Sequence, residues 1–275
     1  LLDSAATGLM KFSTRRLVSS CNAPKSSWMV SSAEQPANTI RVVENNMRGT
    51  LSTEGYYPHI MAFDVHSIPL GPWQTNALIL QSTNHEVTVC DPGMDPAPLL
   101  RHLEEHALHV KQIILTHAHV DHIAGIDAVS GRFDDPPLLV HPEEEEWLNR
   151  PELNLSALSG FDVTTRPATG TIVDGQTIAV GAEEATVWHL PGHSPGSIGL
   201  YFKATGVLIG GDTLFQGSIG RTDFPTSEPE AMVASLRRLL TLPDETRVYP
   251  GHGPSTTIGQ ERQTNPFLSE LQELS

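Results

Sequence analysis

The period of the hydrophobic positions changes repeatedly after Tyr56, and each change marks an element. Segments 59–70 (HIMAFDVHSIPL) and 75–82 (TNALILQS) read as strands with a turn at Gly71-Pro72 between them. HEVTVCDPG (85–93) is a strand running into a turn. In DPAPLLRHLEEHAL (95–108) the apolar residues fall at helical spacing, with Asp95 as the expected N-cap and Pro96 in the first turn. VKQIILT (110–116) is a nearly continuous apolar run, as expected of a strand covered on both faces. HIAGIDAVSGRF (122–133) predicts a helix and PPLLVHP (136–142) a strand. EEEEWLNR (143–150) begins another helix, whose acid run is expected to be a solvated face. After a looser stretch, Pro151 to Pro167, GTIVDGQTIAVG (170–181) predicts a hairpin about Asp174-Gly175. EATVWHLPG, GSIGLYFKATGVLIGGD and TRVYPGHG supply further strands separated by glycine turns. EPEAMVASLRRLLTL (228–242) is an amphipathic helix with Met232, Leu236, Leu239 and Leu240 on one face. Both halves read as strands followed by helices, which predicts an α/β protein of αββα layers: two packed sheets with helices outside.

Residues 1–54 lack any such period. From Met10 to Asn38 they are Ser-rich, carry Lys11, Arg15, Arg16 and Lys25, and have almost no acid. Residues 1–54 are therefore expected to be a leader, either a transit-like segment or a disordered tail, and 55–275 one domain. A chain of 275 residues with 39% hydrophobic and 18% charged residues has ample material for a globular core. The formal net charge of −15 argues against nucleic acid as a partner, since phosphate binding needs a basic face. No apolar run approaches the roughly 20 residues of a membrane span. The two cysteines, Cys21 and Cys90, make no disulfide framework, and Cys90 is expected in the core. A soluble, intracellular protein is expected, in a mitochondrion or plastid if the leader is a transit peptide.

The chemistry concentrates in LTHAHVDHIAG (115–125). His117 and His119, two apart at the end of an extended run, point to the same side, and Asp121 and His122 follow at the turn into a helix. Imidazole and carboxylate are the usual ligands of zinc and similar ions. One short loop can hardly wrap four ligands around a single ion, so the four are better shared between two. His193 in LPGHSPGS, Asp212 in LIGGDTLF and His252 in VYPGHGP add three donors at strand ends beside glycines. His102, His106 and His109 lie on or near a helix and are expected on the surface.

THAHVDH, PGHSPGS, GGDTLF and PGHGP, in that order, resemble the metallo-β-lactamase superfamily from about residue 57 onward. The resemblance implies an αββα sandwich with two divalent metal ions at one sheet edge. Zinc is the expected metal, with iron or manganese as alternatives. His117, His119 and His193 would hold one ion, Asp121, His122 and His252 the other, and Asp212 would bridge them. Within the superfamily, FQGSIGRTDFP and GPSTTIGQERQTNPFL resemble the short, bacterial-type hydroxyacylglutathione hydrolases (glyoxalase II). With 23 residues after His252, the helical C-terminal domain of the classical enzymes is not expected. Thr222 and Asp223 stand where the classical loop has an aromatic, a departure that bears on glutathione recognition.

The implied activity is hydrolysis of a small-molecule thioester such as S-lactoylglutathione, by a hydroxide shared between the metals. Asp121 and Asp212 would be the carboxylates of the reaction centre. Asp91 would orient a ligand histidine, and Arg221 would meet a substrate carboxylate. An alternative from the same fold is a persulfide dioxygenase using one iron on His117, His193 and Asp212. A non-enzymatic metal-binding module would need a closed ligand shell, whereas seven ligands around two ions leave room for water.

Overall fold

The consecutive apolar residues Ala77, Leu78, Ile79 and Leu80 show how the chain is layered. Ala77 and Ile79 enter one hydrophobic core, and Leu78 and Leu80 enter another on the opposite face of the same strand. A computed structural model describes residues 63–83 and 85–273; the leader expected over 1–54 lies outside the described residues. The first sheet orders β1 (Asp64–Leu70), β2 (Thr75–Thr83), β3 (Glu86–Cys90), β4 (His109–Ile114), β5 (Leu138–Val140) and β6 (Gly170–Thr171) side by side. Its first three strands are antiparallel, and β3 to β6 are parallel. Parallel neighbours need crossovers. These are α1 (Ala97–Glu105) between β3 and β4, then α2 (Val120–Ile123) and α3 (Ile126–Arg132) between β4 and β5.

The second sheet contains β7 (Thr177–Val180), β8 (Glu183–His189), β9 (Ile198–Phe202) and β10 (Val207–Gly211), antiparallel in that order. A small separate hairpin, β11 (Leu214–Phe215) and β12 (Ser218–Ile219), follows β10. The helix α4 (Pro229–Leu239) then crosses over to β13 (Arg247–Pro250), which lies parallel to β10 and antiparallel to the edge strand β14 (Thr256–Thr257). Two helices end the described chain, α5 (Ile258–Thr264) and α6 (Pro266–Glu273).

Three cores fill the spaces between layers. Leu99 and Leu103 of α1 with Ile126 and Val129 of α3 cover the outer face of the first sheet. Leu78, Leu80, Cys90 and Ile114 meet Val187, Leu200, Phe202 and Ile209 between the sheets. Met232, Leu236 and Leu239 of α4, with Ile258, Leu268 and Leu271, cover the outer face of the second. This is the αββα sandwich, with Cys90 inside it as a free thiol. Among the described residues no helix is long and apolar enough to cross a membrane.

Local departures from the sequence reading have tertiary causes. The helix expected over 122–133 is broken at Gly125. The Gly125 amide donates to Pro92 O (2.8 Å) instead of continuing the helical ladder, and a Cβ there would lie 2.5 Å from Gly93 O. Asp95 does not cap α1: its φ is +56°, and Pro96 holds the cap position. Asp174-Gly175 is a turn but not a hairpin, because β6 belongs to the first sheet and β7 to the second. The acid run forms a 3₁₀ helix, Pro142–Asn149, in which residues three apart share a face. Glu143, Glu145 and Glu146 are exposed as expected, but Glu144 turns inward with Trp147 and is fully buried.

Candidate metal centre

The donors sit where strands end at one edge of the sandwich. β4 delivers His117 and His119, and α2, immediately after, carries Asp121 and His122. β8, β10 and β13 lead to His193, Asp212 and His252. The two sheets are tied at this edge by the amide of Ile198 donating to Thr116 O (2.8 Å). His117, His119, His122, His193 and Asp212 are buried; Asp121 and His252 are half-buried.

All seven expected donors come together. Ligand atoms of His117, His119 and His193 lie within 4.8 Å of one another, as do those of Asp121, His122 and His252. Asp212 lies between the sets: its Oδ2 is 3.5 Å from His193 Nε2 and 3.4 Å from His252 Nε2, and its Oδ1 is 3.6 Å from His122 Nε2. His119 Nδ1 faces His193 Nε2 at 2.9 Å, with the rings edge to face. His117 Nε2, His122 Nε2 and Asp212 Oδ1 are buried with no hydrogen-bond partner. Such atoms are costly in a protein interior unless something else satisfies them.

Neighbouring groups fix the orientation of the donors. Asp91 is buried at the end of β3 with a left-handed φ of +52°. Its carboxylate accepts from Thr116 N (2.7 Å) and Thr116 Oγ1 (2.6 Å) and lies 3.0 Å from His122 Nδ1. Thr75 Oγ1 donates to Asp121 Oδ2 (2.8 Å), and His252 Nδ1 donates to Trp73 O (3.1 Å). His193 Nδ1 donates to Arg221 O (2.9 Å), which leaves Nε2 facing the other donors. Gly251 is required here: a Cβ would fall 2.1 Å from Asp212 Oδ1 and 2.8 Å from His122 Cε1.

The histidines divide electrostatically. Burial, with His193 beside it, drives His119 down to about 3, and burial with His122 drives His117 well below its usual value. Burial also works against protonation of His122 and His252, but here carboxylates outweigh it. Asp121, Asp212 and Asp91 raise His122 to about 9, and hydrogen bonds to Asp121 and Asp212 raise His252 to about 11. Against the opposing effect of burial, the same contacts hold both aspartates below the usual carboxylate range.

A cleft of about 470 Å³ opens over the centre. Trp73, Leu155, Leu158, Phe215, Ile219 and Phe224 give it a largely apolar wall. Arg221 lines it too, but its guanidinium is held by Asp223 in two bonds (2.6 and 2.8 Å) and lies 4.2 Å from the centroid of Phe224. The β11–β12 hairpin, which carries Phe215 and Ile219, is pinned from behind. Glu261 accepts from Gly217 N (2.7 Å), and Asn265 donates to Ser218 O (3.0 Å).

Sequence reasoning did not single out Thr75, Thr116, Glu144 or Glu261 in this site. Their residue types are ordinary at turns and helices, and only tertiary contacts give them a role. A separate group, His141, Glu143 and His189, also gathers three donors. Its two imidazoles stack face to face at 4.2 Å and 14°, so their in-plane lone pairs run side by side without converging on a point. His106 and His109 are exposed as expected, and the half-buried His102 stacks against His66 and His106.

Comparison with known proteins agrees with the architecture. Residues 70–252 match the Metallo-beta-lactamase superfamily. "Probable metallo-hydrolase YqgX" of Bacillus subtilis is 40% identical over 204 residues, which cover 74% of this chain and 96% of that protein. Hydroxyacylglutathione hydrolase GloC of Haemophilus influenzae is 33% identical over 217 residues, 75% of this chain and 98% of that one. Among solved structures, BLEG-1 B3 metallo-beta-lactamase superposes with a TM-score of 0.72 at 44% identity, covering 75% of this chain and all of that one.

Proposed function

The chain belongs to the metallo-β-lactamase superfamily and is a metallo-hydrolase, and from that premise we propose that it hydrolyses small acyl thioesters of the S-lactoylglutathione type. The observation that carries this reading is the gathering of seven donors into three overlapping groups, His117–His119–His193, His117–His122–Asp212 and Asp121–His122–His252. His117, His119 and His193 would hold one divalent ion, Asp121, His122 and His252 a second, and Asp212 both. The unpartnered His117 Nε2, His122 Nε2 and Asp212 Oδ1 fit this role, since a cation is what these buried atoms lack. Two N/O-rich donor sets suit zinc, with iron or manganese as alternatives. When bound, such ions supply Lewis acidity, which activates water at neutral pH and polarises a carbonyl.

The chain's own residues do the rest. Asp91 and Thr75 hold His122 and Asp121 in place, which keeps the donors directed at a common centre. The apolar wall of the cleft receives the acyl and thiol limbs and excludes bulk water. A thiolate leaves readily, so no strong general acid is required, and the described site has no uncommitted carboxylic acid placed to be one. Arg221 is the one Lys or Arg among the cleft's described lining residues, and it meets a substrate carboxylate by exchanging it for Asp223.

The test combines metal content with two assays on the purified full chain. Close to two metal ions per chain with hydrolysis of S-lactoylglutathione is the expected result. His252→Ala should then lose one ion and most of the activity. One iron per chain, oxygen uptake with glutathione persulfide and negligible hydrolysis would replace the hydrolase reading with the dioxygenase.

A further inference from the structure

Glu144 is a fully buried carboxylate with no ion pair to a lysine or arginine among the described residues, and its two oxygens are committed to two different loops. Oε2 accepts from the backbone amide of Ala118 (2.5 Å), the residue between His117 and His119. Oε1 accepts from the amide of Gly196 (2.7 Å), three residues after His193, and the hydroxyl of Ser194 donates to the same carboxylate. Gly196 must be glycine for this approach, because a Cβ would lie 2.7 Å from Glu144 Cγ. The first loop follows β4 of one sheet, the second follows β8 of the other, and Glu144 arrives from a third element, the 3₁₀ helix Pro142–Asn149.

We propose that Glu144 is a positioning residue that holds the His117–His119 loop and the His193 loop at a fixed separation, and so builds one of the two metal sites. This rests on the metal-centre reading given above. The choice of a carboxylate has a chemical reason. Both loops present N–H donors, and only a side chain with two acceptor ends on one rigid plane can take both. An isosteric amide cannot, since one of its ends is an NH₂ that would confront a backbone N–H. Glu144 makes no hydrogen bond to the His122–His252 set, so the larger effect should fall on the His117–His119–His193 site.

The experiment is a titration of metal-free full chain with Zn²⁺, with stoichiometry by elemental analysis, for the native protein, Glu144→Gln and Glu144→Asp. We expect Glu144→Gln to bind one ion as the native protein does and the other ten- to a hundredfold more weakly. Its kcat should fall with little change in KM, because the cleft wall is untouched. Glu144→Asp keeps both acceptors on a shorter stem and should recover part of the loss; it carries the same test if the Gln variant does not fold. Native affinity at both sites in these variants would overturn the proposal. So would parallel weakening of both sites together with a lower Tm of the metal-free protein, which is the mark of a merely structural role. A native chain that binds no Zn²⁺ would instead overturn the metal-centre reading itself, so the two failures are distinguishable.

Discussion

At the scale of single residues, the two donor sets should respond differently to acid. His117 and His119 are neutral far below pH 7, so protons do not compete for the lone pairs they offer. His122 and His252, raised to about 9 and about 11, are protonated at pH 7 and must each release a proton to coordinate an ion. Proton competition therefore grows as pH falls, and it bears on His122 and His252 rather than on His117 and His119. Dialysis at pH 7.5 and at pH 5.5 followed by elemental analysis should show the metal content dropping from two towards one per chain. Equal loss from both sets would contradict this charge division. The donors themselves were legible in the sequence because histidines and aspartates stand at strand ends beside glycines. Glu144 was hidden: one inward glutamate among four looks like its exposed neighbours until the 3₁₀ register turns it in.

At the scale of elements, the hydrophobic pattern carried most of the layering. The run Ala77–Leu80 reads as part of a strand, and it feeds two separate cores. The face of α4 was equally plain, with Met232, Leu236 and Leu239 all buried. What the pattern could not carry was partner choice: the Asp174-Gly175 turn looks the same whether its strands pair or pass to different sheets. Nor could it foresee the break at Gly125, which depends on the Pro92-Gly93 turn packing against it. The layering also separates stability from chemistry. Leu236 lies in the core under α4, on the outer face of the second sheet. Leu236→Ala should cost about 3 kcal/mol by leaving a cavity, which lowers Tm by roughly 6–12 °C for a domain of this size. Metal stoichiometry at 25 °C should stay at the native value. Calorimetry and elemental analysis on one preparation check both halves.

At the scale of the whole molecule, the donors come from both sheets. His117, His119, Asp121 and His122 follow β4 of the first, whereas His193, Asp212 and His252 follow strands of the second. Ions held as proposed would staple the two halves of the sandwich at this edge. Binding to the native state alone stabilises it by about 2.7 kcal/mol when free metal is a hundredfold above Kd. Chelation should accordingly lower Tm by several degrees, and restoring Zn²⁺ should return it; an unchanged Tm would mean that the halves hold together without the ions. This has a consequence for the supply of the protein as well as for its chemistry. An ion shortage would leave more of the chain unfolded at any moment, and quality control removes unfolded chains. Scarcity would then act twice, first by idling each molecule and then by thinning their number, so that output falls more steeply than metal occupancy.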